Sequence, residues 1–139
     1  MMTEGQTIVI VGAGQAGGWA AQTLRSEGFQ GRVVLIGDEP HRPYERPPLS
    51  KAVLAGEAPE DSTALMKPDA FDKLGVDWLP DTTASAIDRA ARQVRLRQGE
   101  PIGYDKLILC TGGRARRLSI PGAGLPGVYT LRSPLDAAT

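Results

Sequence analysis

Gly12, Gly14 and Gly17 follow directly on the apolar run Ile8-Val9-Ile10-Val11, and the acidic pair Asp38-Glu39 follows a second such run ending at Ile36. Each glycine has a separate physical use. At 12 it allows a tight turn, at 14 it lets the backbone approach a pyrophosphate, and at 17 it lets a helix pack on a sheet. The first amides of that helix have no intrahelical acceptor and can meet the phosphates. An acid beyond the second strand suits a ribose or adenosine hydroxyl, an ordinary surface turn being the plain alternative. The glycine spacing alone is a weak signal, but strand, turn, helix and acid in this order make it a strong one. At this point NAD and FAD fit equally well.

Other chemistry-bearing residues are sparse. Cys110 is the single cysteine, so it can form no intramolecular disulfide, and its place at the end of an apolar strand reads as a small buried hydrophobe. His41, the single histidine, sits among Pro40, Arg42 and Pro43 with no second histidine or cysteine to share a metal. Arg114, Arg116 and Arg117 read as a solvated loop. No metal site, acid, base or nucleophile is expected.

The elements that must position the glycine turn are legible from pattern. Ile8–Val11 and Arg32–Ile36 are runs typical of strands covered on both faces. Between them a helix is predicted over about Ala16–Glu27, with Gly17, Ala20, Ala21 and Leu24 on one face and Gly28 as a left-handed stop. The stretch 38–48 holds four of the eleven prolines and reads as a stiff loop. Short helices are expected at Leu49–Leu54 and Asp69–Leu74, the second closed by Gly75. Short strands are expected at Val76–Leu79, Ala84–Ile87 and Val94–Arg97, with a turn at Gln98–Pro101. Tyr104–Cys110 reads as a strand entering the buried sheet, and Tyr129–Arg132 as a further short strand. Ser133-Pro134 should cap a helix with Asp136 in its first turn. That helix has room for about one turn, and the chain is read as part of a longer one. The fold class is α/β: a doubly wound parallel sheet, Rossmann-like, with a small antiparallel β-meander.

Length and charge agree with this. The 139 residues suffice for one domain, and 41% hydrophobic content fits a packed core. Sixteen Lys and Arg against sixteen Asp and Glu leave no field for steering nucleic acid or a membrane surface. No apolar run approaches the ~20 residues of a membrane span. The start, Met-Met-Thr-Glu-Gly-Gln, lacks a basic leader and an apolar core, so a cytoplasmic location is expected.

A resemblance separates the two cofactors. Pro43-Tyr44-Glu45-Arg46-Pro47-Pro48-Leu49-Ser50-Lys51 resembles the Pro-Tyr-x-Arg-Pro-Pro-Leu-Ser-Lys stretch of FAD-dependent ferredoxin reductases, the partners of bacterial ring dioxygenases and cytochrome monooxygenases, and of their apoptosis-inducing-factor-like relatives. Tyr104–Gly113 is similar to the family strand ending in Ala-Thr-Gly beside the flavin. Tyr129–Ala137 is similar to the Leu-Arg-x-x-x-Asp-Ala segment before the NADH domain. The resemblance implies that Gly12, Gly14, Ala16 and Gly17 form the pyrophosphate turn, with Asp38 and Glu39 at the adenosine ribose. It also implies Arg46 along the adenine or diphosphate, Lys51 at the isoalloxazine edge, Ala84 at adenine through backbone groups, Thr111 and Gly112 beside the flavin, and Arg132 on FAD.

The resemblance further implies that residues 1–139 are the N-terminal part of an FAD-binding domain, with NADH bound by a domain outside this chain. Electrons would pass from NADH through FAD to a [2Fe-2S] ferredoxin. Alone, the chain is expected to hold FAD weakly or not at all and to be inactive. Disulfide-reducing relatives carry a CxxxxC pair where this chain reads Leu49-Ser50-Lys51-Ala52-Val53, so transfer through a dithiol is excluded. Two other readings remain open at this stage: an NAD(P)-dependent dehydrogenase nucleotide domain, and a non-catalytic FAD-binding redox module.

Overall fold

A computed structural model describes residues 5–139. Met1–Glu4, on which the reading of a leader-free start partly rests, lie outside the described residues. The chain divides into two compact units, one running through Tyr44 and again over Leu65–Gly112, the other made of Glu45–Ala64 and Gly113–Thr139.

The first unit holds a parallel sheet of β1 (Thr7–Val11), β2 (Arg32–Ile36), β3 (Asp77–Leu79) and β7 (Lys106–Leu109), in the order β3-β2-β1-β7. Ile8 lies opposite Val33 on one side and Lys106 on the other. A strand's side chains alternate between faces, and here both faces are covered. Ile8, Ile10, Val33 and Leu35 pack with Ala21 of α1 (Gln15–Ser26), Phe29 and Phe71. Val9, Val11, Val34 and Ile36 pack with Val94 of the meander β4 (Ala84–Asp88), β5 (Gln93–Leu96) and β6 (Ile102–Gly103). The unbroken apolar runs of β1 and β2 therefore serve two separate cores, each strand contributing alternate residues to each.

The α1 helix ends as expected. Gly28 takes φ +86°, its amide bonds to the Arg25 carbonyl, and the Phe29 amide reaches back to the Leu24 carbonyl. These are the paired bonds of a Schellman stop. Arg25 adds a fixture that periodicity does not reveal. Its Nε donates to the Leu74 carbonyl at 2.7 Å, Nη1 to the Phe29 and Gly31 carbonyls at 2.8 and 2.9 Å, and Nη2 to the Gly75 carbonyl at 3.1 Å. One guanidinium thus ties the end of α1 to the entry of β2 and to the turn between α2 (Pro68–Asp72) and β3. Arg25→Met keeps the stem and removes all four bonds. It is expected to cost ~3 kcal/mol, since bonds to a charged donor are worth ~1.5–3 kcal/mol each and the exposed acceptors regain water. Urea titration checks this, and an unchanged midpoint would show the guanidinium to be dispensable.

Three expectations need correction, and one element was not foreseen. The predicted helix at Leu49–Leu54 is a 3₁₀ turn, Pro47–Ser50, followed by irregular turns. Two consecutive prolines supply no amide, and Lys51 at φ −125°, ψ −112° leaves the helical region. A further 3₁₀ turn at Glu60–Thr63 had no sequence signal beyond its polar composition. β7 is not buried as expected: it pairs with β1 alone among the described strands, and Leu109 stays 58% exposed. Tyr129–Arg132 forms no strand, and Tyr129 is exposed. The one-turn helix α3 (Pro134–Ala137) starts where predicted, capped by Ser133.

Candidate functional site

The glycine turn lies at the carboxyl end of the parallel sheet, where open α/β sheets hold their ligands. Its glycines divide into two kinds. Gly12 has φ +108°, and a Cβ there would lie 2.0 Å from the Cys110 carbonyl oxygen. A Cβ on Gly17 would lie 1.8 Å from the Gly12 carbonyl oxygen, and one on Gly18 would lie 2.6 Å from both Leu65 and Pro43. These three are required by the protein's own packing. The sequence reading gave Gly18 no role, although a doubled glycine facing a proline-rich loop was a usable signal.

Gly14 differs from them. It takes φ −83°, ψ −160°, extended backbone open to any residue, and a Cβ there would meet nothing within 4 Å. Nothing inside the protein requires glycine at 14. At the same place α1 begins with no side-chain cap and no acid in its first turn. An empty approach to a helix start without a built-in counter-charge fits a phosphate group supplied from outside.

Gly37 brings the acidic pair to this turn, because its missing Cβ would lie 2.6 Å from that of Ala13. Asp38 is exposed beside it. Glu39 is already engaged: its carboxylate accepts the Tyr44 hydroxyl at 2.6 Å and its carbonyl accepts the Asp81 amide. Of the two acids, Asp38 is the one presented outward. Thr111 and Gly112, exposed after β7, sit next to Gly12 because the Cys110 amide bonds to the Val11 carbonyl at 2.7 Å. Ala16 is exposed in the first turn of α1, and Ala84 is half-buried against the meander core.

The second unit holds the remaining candidates. Arg46 Nη1 donates to the Arg132 carbonyl at 2.7 Å, joining the two chain segments of this unit. Lys51 is exposed at the end of the 3₁₀ turn, and its ammonium makes no hydrogen bond or ion pair among the described residues. Arg114, Arg116 and Arg117 are exposed in a loop, as the sequence suggested.

With this geometry the comparisons with known proteins are decisive. The family model of the pyridine nucleotide-disulphide oxidoreductases matches residues 6–139. The chain belongs to this family. Within this oxidoreductase family, it is 46% identical over 131 residues to the ferredoxin–NAD(+) reductase component of the biphenyl dioxygenase system of Paraburkholderia xenovorans, covering 94% of this chain and 32% of that protein. It is 48% identical over 131 residues to rhodocoxin reductase of Rhodococcus erythropolis, covering 94% and 31%. The crystal structure of the ferredoxin reductase for the CYP199A2 system of Rhodopseudomonas palustris superposes with a TM-score of 0.87 at 38% identity, covering 96% of this chain and 33% of that one. The chain thus spans about a third of the length of these relatives. A Rossmann-like α/β fold with its antiparallel meander is the architecture the sequence predicted.

Despite the family's name, this chain has one cysteine and no dithiol to reduce. Cys110 is half-buried, and burial raises its thiol pKa, which disfavours the thiolate. His41 meets Tyr44 edge-on at 5.9 Å, and no group of three metal-ligating side chains occurs among the described residues. No described helix is long and apolar enough to cross a membrane.

Proposed function

We propose that residues 1–139 are the N-terminal part of the FAD-binding domain of an NADH:ferredoxin oxidoreductase, working in the cytoplasm with a [2Fe-2S] ferredoxin as electron acceptor. NADH would be bound by a domain outside this chain. The observation that carries the reading is the contrast within the glycine turn: Gly12, Gly17 and Gly18 answer to internal packing, whereas Gly14 answers to nothing inside the protein. The similarity to ferredoxin reductases supports FAD as the ligand and a ferredoxin as the partner.

In this reading the amides at the start of α1 hold the pyrophosphate, with Gly12, Gly14, Ala16 and Gly17 shaping the approach, and Asp38 takes the ribose hydroxyls. Glu39 supports Asp38 by holding Tyr44 and the proline loop in place. Ala84, Thr111 and Gly112 offer backbone groups, and Arg46, Lys51 and Arg132 supply positive charge. FAD, when bound, supplies the capacity to accept a hydride and to release its electrons singly. The chain's own part is to bind, orient and set the local electrostatics.

Two measurements test this. Denaturing the purified full-length protein should release FAD, and NADH should reduce a [2Fe-2S] ferredoxin in its presence. A colourless protein that binds NAD through this turn would sink the proposal, and a yellow protein inert to NADH would reduce it to a binding module. Lys51→Met should retain FAD and slow hydride transfer from NADH ~10²-fold, because a positioned cation facing developing negative charge is worth a few kcal/mol. Stopped-flow reduction at parental speed would remove Lys51 from the flavin edge.

A further inference from the structure

The three arginines of the loop after β7 take no part in the function proposed above. Residues 111–119 form no helix, strand or turn, and all but Ala115 are exposed. Among the described residues, Arg114, Arg116 and Arg117 make no hydrogen bond or ion pair, and the backbone of residues 113–119 makes no hydrogen bond either. Ser119 is exposed, and its hydroxyl is likewise unbonded among the described residues. It follows Arg116 by three positions and Arg117 by two, and Ile120 stands directly after it. Ile120 is 60% exposed and belongs to neither core cluster. Residues 113–120 lie within the second unit.

A solvated loop needs arginines at no particular distance from a hydroxyl. Here two permanently charged guanidinia, a hydroxyl and an apolar side chain come in close succession on a backbone without bonds of its own. Such a segment can be laid into a groove as an extended strand without first breaking any local structure. In that form it advances ~3.3 Å per residue, so Arg116 and Ser119 span ~10 Å. Each guanidinium fits a carboxylate through two parallel bonds, and Ile120 can fill an apolar hollow beyond the hydroxyl. We propose that Ser119 is a phosphoacceptor for an arginine-directed serine/threonine protein kinase, which recognises it through Arg116, Arg117 and Ile120.

In the transfer, Ser119 Oγ bonds to the γ-phosphorus of ATP while the bond from that phosphorus to the β–γ bridging oxygen breaks. ADP departs, and the hydroxyl proton passes to the kinase's catalytic carboxylate. Nothing is oxidised or reduced. The product carries about −1.5 to −2 at pH 7 beside three arginines, so the charge of the loop falls to about +1. The new phosphate can accept charge-assisted hydrogen bonds from Arg116 or Arg117. A segment without local bonds thereby acquires an anchor, and most of the positive charge it offers an acidic partner is cancelled. This inference stands apart from the FAD reading and does not depend on it.

The test uses the full-length protein, Mg-ATP and a purified serine/threonine kinase that phosphorylates Arg-Arg-x-Ser peptides. The folded parent should gain one phosphate, mapped to Ser119 by tandem mass spectrometry, and Ser119→Ala should gain none. Arg116→Gln combined with Arg117→Gln should lower kcat/KM for the kinase ~10²-fold through loss of two charge-assisted contacts. Ile120→Ala should lower it ~10-fold through lost apolar burial. Melting temperatures should stay within a few degrees of the parent, since every side chain changed is exposed. Phosphate on another residue would overturn the proposal. So would a folded parent left unmodified while a peptide of residues 113–123 is phosphorylated, or an arginine variant modified at the parental rate. An extract of the source cells with Mg-ATP should modify the parent and spare Ser119→Ala. An extract that modifies neither, or both equally, would overturn the proposal as well.

Discussion

Gly17→Ala is expected to leave no folded protein. The added methyl carbon would lie 1.8 Å from the Gly12 carbonyl oxygen and 3.4 Å from Leu35 Cδ1, and the oxygen belongs to backbone that cannot rotate away. The turn has no slack to offer. The Gly12 amide is bonded to the Ile36 carbonyl at 2.8 Å, and Gly12 is itself pressed against Cys110, so moving it disturbs β1, β2 and β7 together. Relief would require lifting α1 off the sheet, exposing Ile8, Ile10, Val33 and Leu35. Overpacking in a well-filled site ordinarily costs ~1–3 kcal/mol, and a clash with fixed backbone plus lost burial should exceed ~5 kcal/mol. That is most or all of the stability of a typical domain. Circular dichroism and a thermal melt of the substituted full-length protein decide it. A cooperative transition within a few degrees of the parent would show that α1 does not depend on this contact.

The parts that sequence made legible are those whose causes are local or strictly periodic. The apolar runs of β1 and β2 announced burial on both faces, and the Gly28 stop and the Ser133-Pro134-x-Asp136 cap need only residues within one turn of each other. What covered each face was less legible, since Val94 reaches the sheet from a meander far along the chain. Arg25 was invisible because its four acceptors come from Phe29, Gly31, Leu74 and Gly75, which meet only after folding. Arg42 was missed for the same reason: its guanidinium lies over the rings of Phe71 and Trp78 and pairs with Asp72 at 3.0 Å, pinning the proline loop. Tyr129–Arg132 misled because a short alternating stretch such as Tyr-Thr-Leu-Arg forms a strand only where a neighbouring strand pairs with it. At the site, spacing located the glycines and the acids, but it could not tell Asp38, which faces out, from Glu39, which is committed to Tyr44.

Gly14→Val should do the reverse of Gly17→Ala, folding well and binding nothing. The backbone at 14 is extended, a conformation in which a β-branched residue is at ease, and a Cβ there meets no atom within 4 Å. Valine is a poorer residue than glycine at the start of a helix, so a loss of ~1 kcal/mol or less is expected. The ligand would feel the change far more. The side chain would occupy the space through which a pyrophosphate reaches the first amides of α1, and α1 has no acid or side-chain cap there to compete for them. Losing two bonds from amides to a charged oxygen at ~1.5–3 kcal/mol each weakens FAD by more than ~10²-fold. The substituted full-length protein should therefore elute colourless from gel filtration, with an apoprotein melting temperature within a few degrees of the parent apoprotein. Gly14→Ala, with its single methyl, should fall between the two. Parental flavin content in the valine variant would remove the glycine turn from the cofactor site. An unfolded variant would show that Gly14 serves the fold after all, and the distinction between glycines kept for packing and a glycine kept for a ligand would fail with it.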